Sequence, residues 1–181
     1  MRWRNDTDRF GAVAVVLHWL LAAALFGIFG LGLWMVGLTY YDPWYHRASI
    51  VHAIIGLALV GLTLLRFIWR WANPLPAPLP SHSRFERFAG RAVHLALYAV
   101  VLALGASGYL VLTAEGEPFH LFGQLSLPPL LAARPGLAEF LGKLHAASAW
   151  GLIGLAGLHA AAALKHHFID RDRTLLRMLG R

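Results

Sequence analysis

Four apolar runs constrain this chain more than any other feature of its sequence. They cover roughly residues 11–38, 49–71, 88–112 and 137–168. Each exceeds the ~20 residues that a helix needs to cross a bilayer. A lipid-embedded segment must satisfy its backbone hydrogen bonds internally, so such runs read as helices. The fold class is therefore an all-α membrane protein, a four-transmembrane-helix bundle, with residues 1–181 as one integral-membrane domain. Composition agrees. Apolar residues make up 58% of the chain and charged residues 14%, against about 25% charged in soluble domains. The first run follows Arg2, Arg4 and Arg9 as a signal peptide would. It is about twice the length of a signal's apolar core and lacks a small-residue cleavage site, so it reads as a retained span.

Topology explains the net charge of +7 better than nucleic acid does, because the basic residues fall between the spans. Thirteen of the sixteen Lys and Arg lie in the N-terminal tail, around the second connection, or at the C-terminus. Only Arg47, Arg134 and Lys143 lie on the other side. The positive-inside rule then places both termini in the cytoplasm. The connections differ in kind. Residues 39–48 (TYYDPWYHRA) read as a short aromatic turn, and residues 72–87 hold four prolines. Residues 113–136 form a connection long enough to cover a site. The absence of cysteine excludes disulfides and thiolate metal centres.

Five histidines, His18, His52, His94, His145 and His159, lie within or at the edge of the spans, where ionisable residues are costly and usually functional. Histidines on facing helices supply what bis-imidazole haem ligation requires. His145 and His159 are 14 residues apart on one span. That is about 21 Å along a helix and nearly four full turns, so both point to one face. Depth pairs His145 with His52 at the outer level and His159 with His18 at the inner level. His94, near the inner end of the third span, competes with His18 by depth alone; its other reading is an interfacial residue bonding a propionate or headgroup. Two haems, a histidine-lined metal or proton path, and interhelical polar contacts all remain open on spacing. The spans carry no Asp or Glu away from their ends, which counts against transport. Gly56, Ala146–Ala147 and Ala160–Ala163 sit beside the histidines and read as clearance for a flat cofactor or as close helix packing. Arg66, Arg70 and Arg91 near the inner ends read as membrane anchors or propionate partners. His166 and His167 read as interfacial, with quinone or proton contact as the alternative.

Several short pieces, in order, resemble one family along essentially the whole chain. They are His18-Trp19, His52-x-x-x-Gly56, Arg66-x-x-Trp69-Arg70-x-x-Asn73-Pro74-x-Pro76, His94-x-x-x-Tyr98, Gly108-Tyr109, His145, and Gly157-Leu158-His159-Ala160-Ala161-Ala162 with Lys165-His166-His167, ending in Thr174-Leu175-Leu176-Arg177-Met178. In these the chain resembles the prokaryotic di-haem cytochrome b561 family. The resemblance implies a four-helix bundle with two b-type haems in the bacterial inner membrane. It implies His18 with His159 at the cytoplasmic-side haem, His52 with His145 at the periplasmic-side haem, and a non-ligand role for His94. It also implies electron exchange with the quinone pool.

The expected function is a quinone-linked membrane oxidoreductase passing electrons between a periplasmic one-electron donor and ubiquinone. Superoxide is a chemically sensible donor, because one haem edge near the outer surface can take one electron. Ubiquinone takes two electrons and two protons, and His94 or the His166/His167 pair is placed to pass protons. The alternatives are a haem-bearing anchor for a partner dehydrogenase or hydrogenase, and a histidine-based metal transporter. Lipid, quinone and a redox partner protein or small reductant are the expected partners.

Overall fold

The computed structural model describes residues 2–121 and 125–181. The chain folds into four long helices, α1 (Ala12–Met35), α2 (Tyr45–Ala72), α3 (Arg84–Leu112) and α4 (Leu137–Phe168), and a short helix α5 (Thr174–Met178). A two-stranded antiparallel hairpin, β1 (Phe119–Leu121) and β2 (Leu125–Leu127), lies between α3 and α4. All four long helices are long and apolar enough to cross a membrane. Large apolar side chains such as Val16, Phe26, Ile68, Leu95, Phe140 and Leu158 face outward. Such a surface suits lipid, and in water it would be an aggregation patch.

Three helix boundaries differ from the apolar runs, each for a local reason. α1 stops at Met35, short of the run's end, because Gly37 and Leu38 turn back on Trp34 and Met35. Asp42 then fixes the turn by accepting from the N–H and the hydroxyl of Thr39. α2 starts at Tyr45, inside the expected aromatic turn, because Tyr45 and Ala48 already bond back to Asp42 and Trp44. α3 starts at Arg84, ahead of its apolar run, because Ser83 and Glu86 cap it reciprocally, which satisfies two orphan donors. The 113–136 connection carries the hairpin in place of a plain loop; its residues 122–124 lie outside the described residues.

α1 packs along α2, α2 along α3, and α3 along α4. α1 meets α4 chiefly through side chains, including Phe29 edge-on to Trp150 at 4.9 Å. At the end that carries both termini, polar contacts fasten the segments into a collar. Asn5 accepts from the Gly11 N–H and donates to the Pro74 carbonyl. Ala77 N–H donates to Thr7, Arg177 donates to the Ala77 carbonyl, and Trp19 Nε1 donates to the Met178 carbonyl at 2.7 Å. Lys165 bridges Glu86 and Asp170 at 2.8 Å each, joining the start of α3 to the end of α4.

Candidate functional site: two facing imidazole pairs

α4 presents His145 and His159 to the other helices at two levels. At the termini end, the His159 ring faces His18 of α1, with ring centres 6.0 Å apart and planes crossed at 78°. At the opposite end, the His145 ring faces His52 of α2, with centres 6.1 Å apart and planes at 71°.

The spacing has a chemical meaning. A metal–imidazole bond of about 2 Å plus about 1 Å from nitrogen to ring centre places two trans rings roughly 6 Å apart. Both pairs match that separation. His94 of α3 is also close to His159, but at 5.1 Å between centres, less than two rings flanking one iron require. The Nδ1 atoms of His18 and His52 are buried without a hydrogen-bond partner among the described residues, which is unusual for polar atoms in an apolar bundle. Four imidazoles in two opposed pairs form a donor set that fits haem iron.

One ring has a hydroxyl beside it. Ser107 Oγ lies 2.9 Å from His145 Nδ1 and 3.1 Å from the Leu104 carbonyl. With its own proton on Leu104, the hydroxyl would accept from His145, leaving Nδ1 protonated and Nε2 with its lone pair. That arrangement is how a metal-ligating histidine is oriented. The sequence reading missed Ser107; a small hydroxyl residue deep in a span, one helix away from a histidine, was the available signal.

Glycines bring backbone against these rings. A Cβ at Gly32 would lie 3.2 Å from His52 Cε1, and one at Gly108 would lie 3.3 Å from His145 Cε1. At Gly56 the added atom would meet Ile28 at an ordinary 3.5 Å.

Of the remaining expected site residues, Arg66 places its guanidinium 5.9 Å from the centre of the Tyr98 ring, a cation–π arrangement. Arg70 and Arg91 form neither ion pair nor side-chain hydrogen bond among the described residues. His166 sits among His82, Asp170 and Asp172. His167 packs against Phe168 with its Nδ1 buried and unpartnered. At the end opposite the termini Lys143 is paired with Glu139, whereas Arg47 and Arg134 make no ion pair among the described residues.

A bundle of four membrane-crossing helices with opposed imidazole pairs between them defines a class: haem-bearing membrane electron carriers. The profile of the prokaryotic cytochrome b561 family matches residues 9–181, and the chain belongs to that family. It is 48% identical to "Cytochrome b561 homolog 2" of Escherichia coli (strain K12), over 100% of this chain and 96% of that protein. It is 28% identical to "Probable superoxide oxidase CybB" of Yersinia pestis, over 94% of this chain and 96% of the relative. "Cytochrome b561 homolog 1" of Escherichia coli (strain K12) is 26% identical over 96% of this chain and 98% of its own length. The chain is accordingly a multi-pass inner-membrane protein that uses b-type haem in electron transfer.

Proposed function

We propose that this chain is a di-haem cytochrome carrying electrons between a one-electron donor on the outer face and ubiquinone. His18 and His159 are the axial ligands of the inner haem, and His52 and His145 those of the outer haem. The two ring pairs at 6.0 and 6.1 Å, on two levels of one helix, carry this reading. Each haem, when bound, would supply an iron that cycles between ferric and ferrous, and two imidazoles of this chain would hold it.

The chain's own residues do the rest. Ser107 holds His145 in the coordinating tautomer. His94, against His159 but too close to share an iron with it, is a proton-handling residue at the inner level. Arg66, Arg70 and Arg91 supply positive charge toward haem propionates. Both termini are cytoplasmic, by the distribution of Lys and Arg, so the His18/His159 level is the inner one.

Superoxide is the donor of choice, consistent with the name of the Yersinia pestis relative. Two superoxide anions would release two electrons and leave as dioxygen. One ubiquinone would take those electrons and two protons to become quinol. Among the described residues, Arg47 and Arg134 are the outer cations without an ion pair, placed to attract an anion, since Lys143 is held by Glu139. Electrons moving inward travel against the membrane potential. A full crossing costs ~2.3 kcal/mol per 100 mV, so the inner haem should have the higher potential. The test is superoxide-driven quinol formation by the isolated protein in detergent. Quinol accumulating at one per two superoxides supports the proposal. Reduction that appears only with a co-purified dehydrogenase would replace it with an anchor role.

A further inference from the structure

A second cluster of metal-ligating side chains lies outside the haem-type pairs, at the end of the bundle that carries both termini. His82 comes from the connection between α2 and α3, His166 from the last turn of α4, and Asp172 from the segment leading into α5. His82 Nε2 lies 2.9 Å from Asp172 Oδ2, and His166 Nδ1 lies 3.4 Å from the same oxygen. The two imidazoles are stacked at a tilt, with centres 4.5 Å apart. The three donor atoms all fall within 4.8 Å of one another. Bonds of about 2.0–2.1 Å in a tetrahedral site hold neighbouring donors roughly 3.3 Å apart, close to what is seen.

Two further observations separate this cluster from an ordinary hydrogen-bond network. His166 Nδ1 lies 2.7 Å from Asp170 Oδ2, yet the atom is buried without a properly aligned hydrogen bond. A buried ring nitrogen within 2.7 and 3.4 Å of two carboxylate oxygens, with no aligned hydrogen bond to either, is in the company a cation ligand keeps. Arg171, between the two aspartates, has φ of 54°. A non-glycine residue held in the left-handed region is strained, and such strain concentrates at functional sites. Here it folds the chain back over the end of α4, where the Asp172 N–H bonds to the His166 carbonyl.

The site is also pre-ordered. Asp172 Oδ1 is held by the Thr174 N–H at 2.8 Å, which leaves Oδ2 for the cluster, where Ser81 Oγ (3.4 Å) and Thr174 Oγ1 (3.2 Å from His82 Nε2) also approach. Ser83, next to His82, caps α3. The side chains of Asp172, His166 and His82 are only 7%, 12% and 17% exposed. Lys165 pairs with both neighbouring carboxylates, Glu86 and Asp170, and its single charge offsets only one of the two, so with Asp172 two negative charges remain for a cation.

We propose that His82, His166 and Asp172 bind one divalent transition cation of the zinc type, with Asp170 or water as the fourth ligand. Two imidazoles and a carboxylate select zinc-like ions over calcium or magnesium, which take oxygen donors. The ion clamps three segments of the collar, about 10 Å along α4 from His159, and does not depend on the haem reading. The test uses the full haem-loaded protein, washed with chelator and titrated with zinc chloride, with metal content measured after gel filtration. One zinc per chain is expected. His82→Gln and His166→Gln should each weaken binding by about 10–100-fold or more, and the double substitution should abolish it. His120→Gln in the outer hairpin should leave it unchanged. An unaltered haem spectrum certifies the fold of each variant, and Asp172→Asn is the substitute should one not fold. No retained zinc in the wild type, or undiminished binding in the double variant, overturns the proposal.

Discussion

Replacing Ser107 by alanine removes the hydroxyl beside His145, the proposed axial ligand of the outer haem, and should move that haem's potential. In the structure Ser107 Oγ lies 2.9 Å from His145 Nδ1 and 3.1 Å from the Leu104 carbonyl, placed to accept the Nδ1 proton of a coordinating His145. An imidazole whose distal N–H is hydrogen-bonded is a stronger donor to its metal and favours the ferric state. Losing the bond therefore raises the potential. A buried neutral hydrogen bond contributes about 0.5–1.5 kcal/mol. With 1.4 kcal/mol equal to about 59 mV for one electron, the rise should be roughly 20–60 mV if most of that energy distinguishes the two oxidation states. The assay is a spectroelectrochemical titration of both haems in wild type and Ser107→Ala. The outer potential should rise and the inner one stay in place. An unmoved outer potential, or a shift confined to the inner haem, would refute the tautomer reasoning and the placing of His145 at the outer iron.

Other substitutions probe the scaffold. Gly105 packs directly on Val60, where an added Cβ would collide with Cγ2. Gly105→Ala should destabilise the bundle by about 1–3 kcal/mol, seen as a lower melting temperature of the haem absorbance. Gly32→Val should disturb the proposed outer haem, because even a Cβ there meets the His52 ring at 3.2 Å; under the two-haem proposal, optical spectra should show loss confined to one haem. The Asp42 carboxyl is held below its usual range by the backbone N–H and then the hydroxyl of Thr39. A depressed carboxylate stabilises the 39–45 turn above its unfolded pKa and loses that contribution as pH falls through the folded value. Asp42→Asn should therefore loosen this turn at neutral pH, raising proteolysis there, while acid should loosen the wild type only below the ordinary carboxylate range.

The four helices were legible because lipid imposes a long apolar run on each, and α4 matches its run over 137–168. The helix starts were less so. Ser83 and Glu86 begin α3 through capping, a local polar signal independent of hydropathy. Depth along the spans was enough to bring His145 opposite His52 and His159 opposite His18, since antiparallel helices of known direction fix the level of every residue. What depth cannot give is azimuth. Ser107 beside His145, and Gly32 and Gly108 against the rings, depend on the rotation of each helix about its axis. The collar around His82, Asp172 and Arg177 was hidden for a different reason: its contacts join segments about 90 to 100 residues apart through polar groups with no periodic pattern.

The central claim is that two imidazole pairs hold two haems, and haem content measures it directly. Wild-type protein should contain two b-type haems per chain by extraction and iron analysis. His159→Ala should retain only the outer haem, His52→Ala only the inner one, and His94→Ala both. One haem in the wild type, or a haem lost from His94→Ala with both kept in His18→Ala, would contradict it.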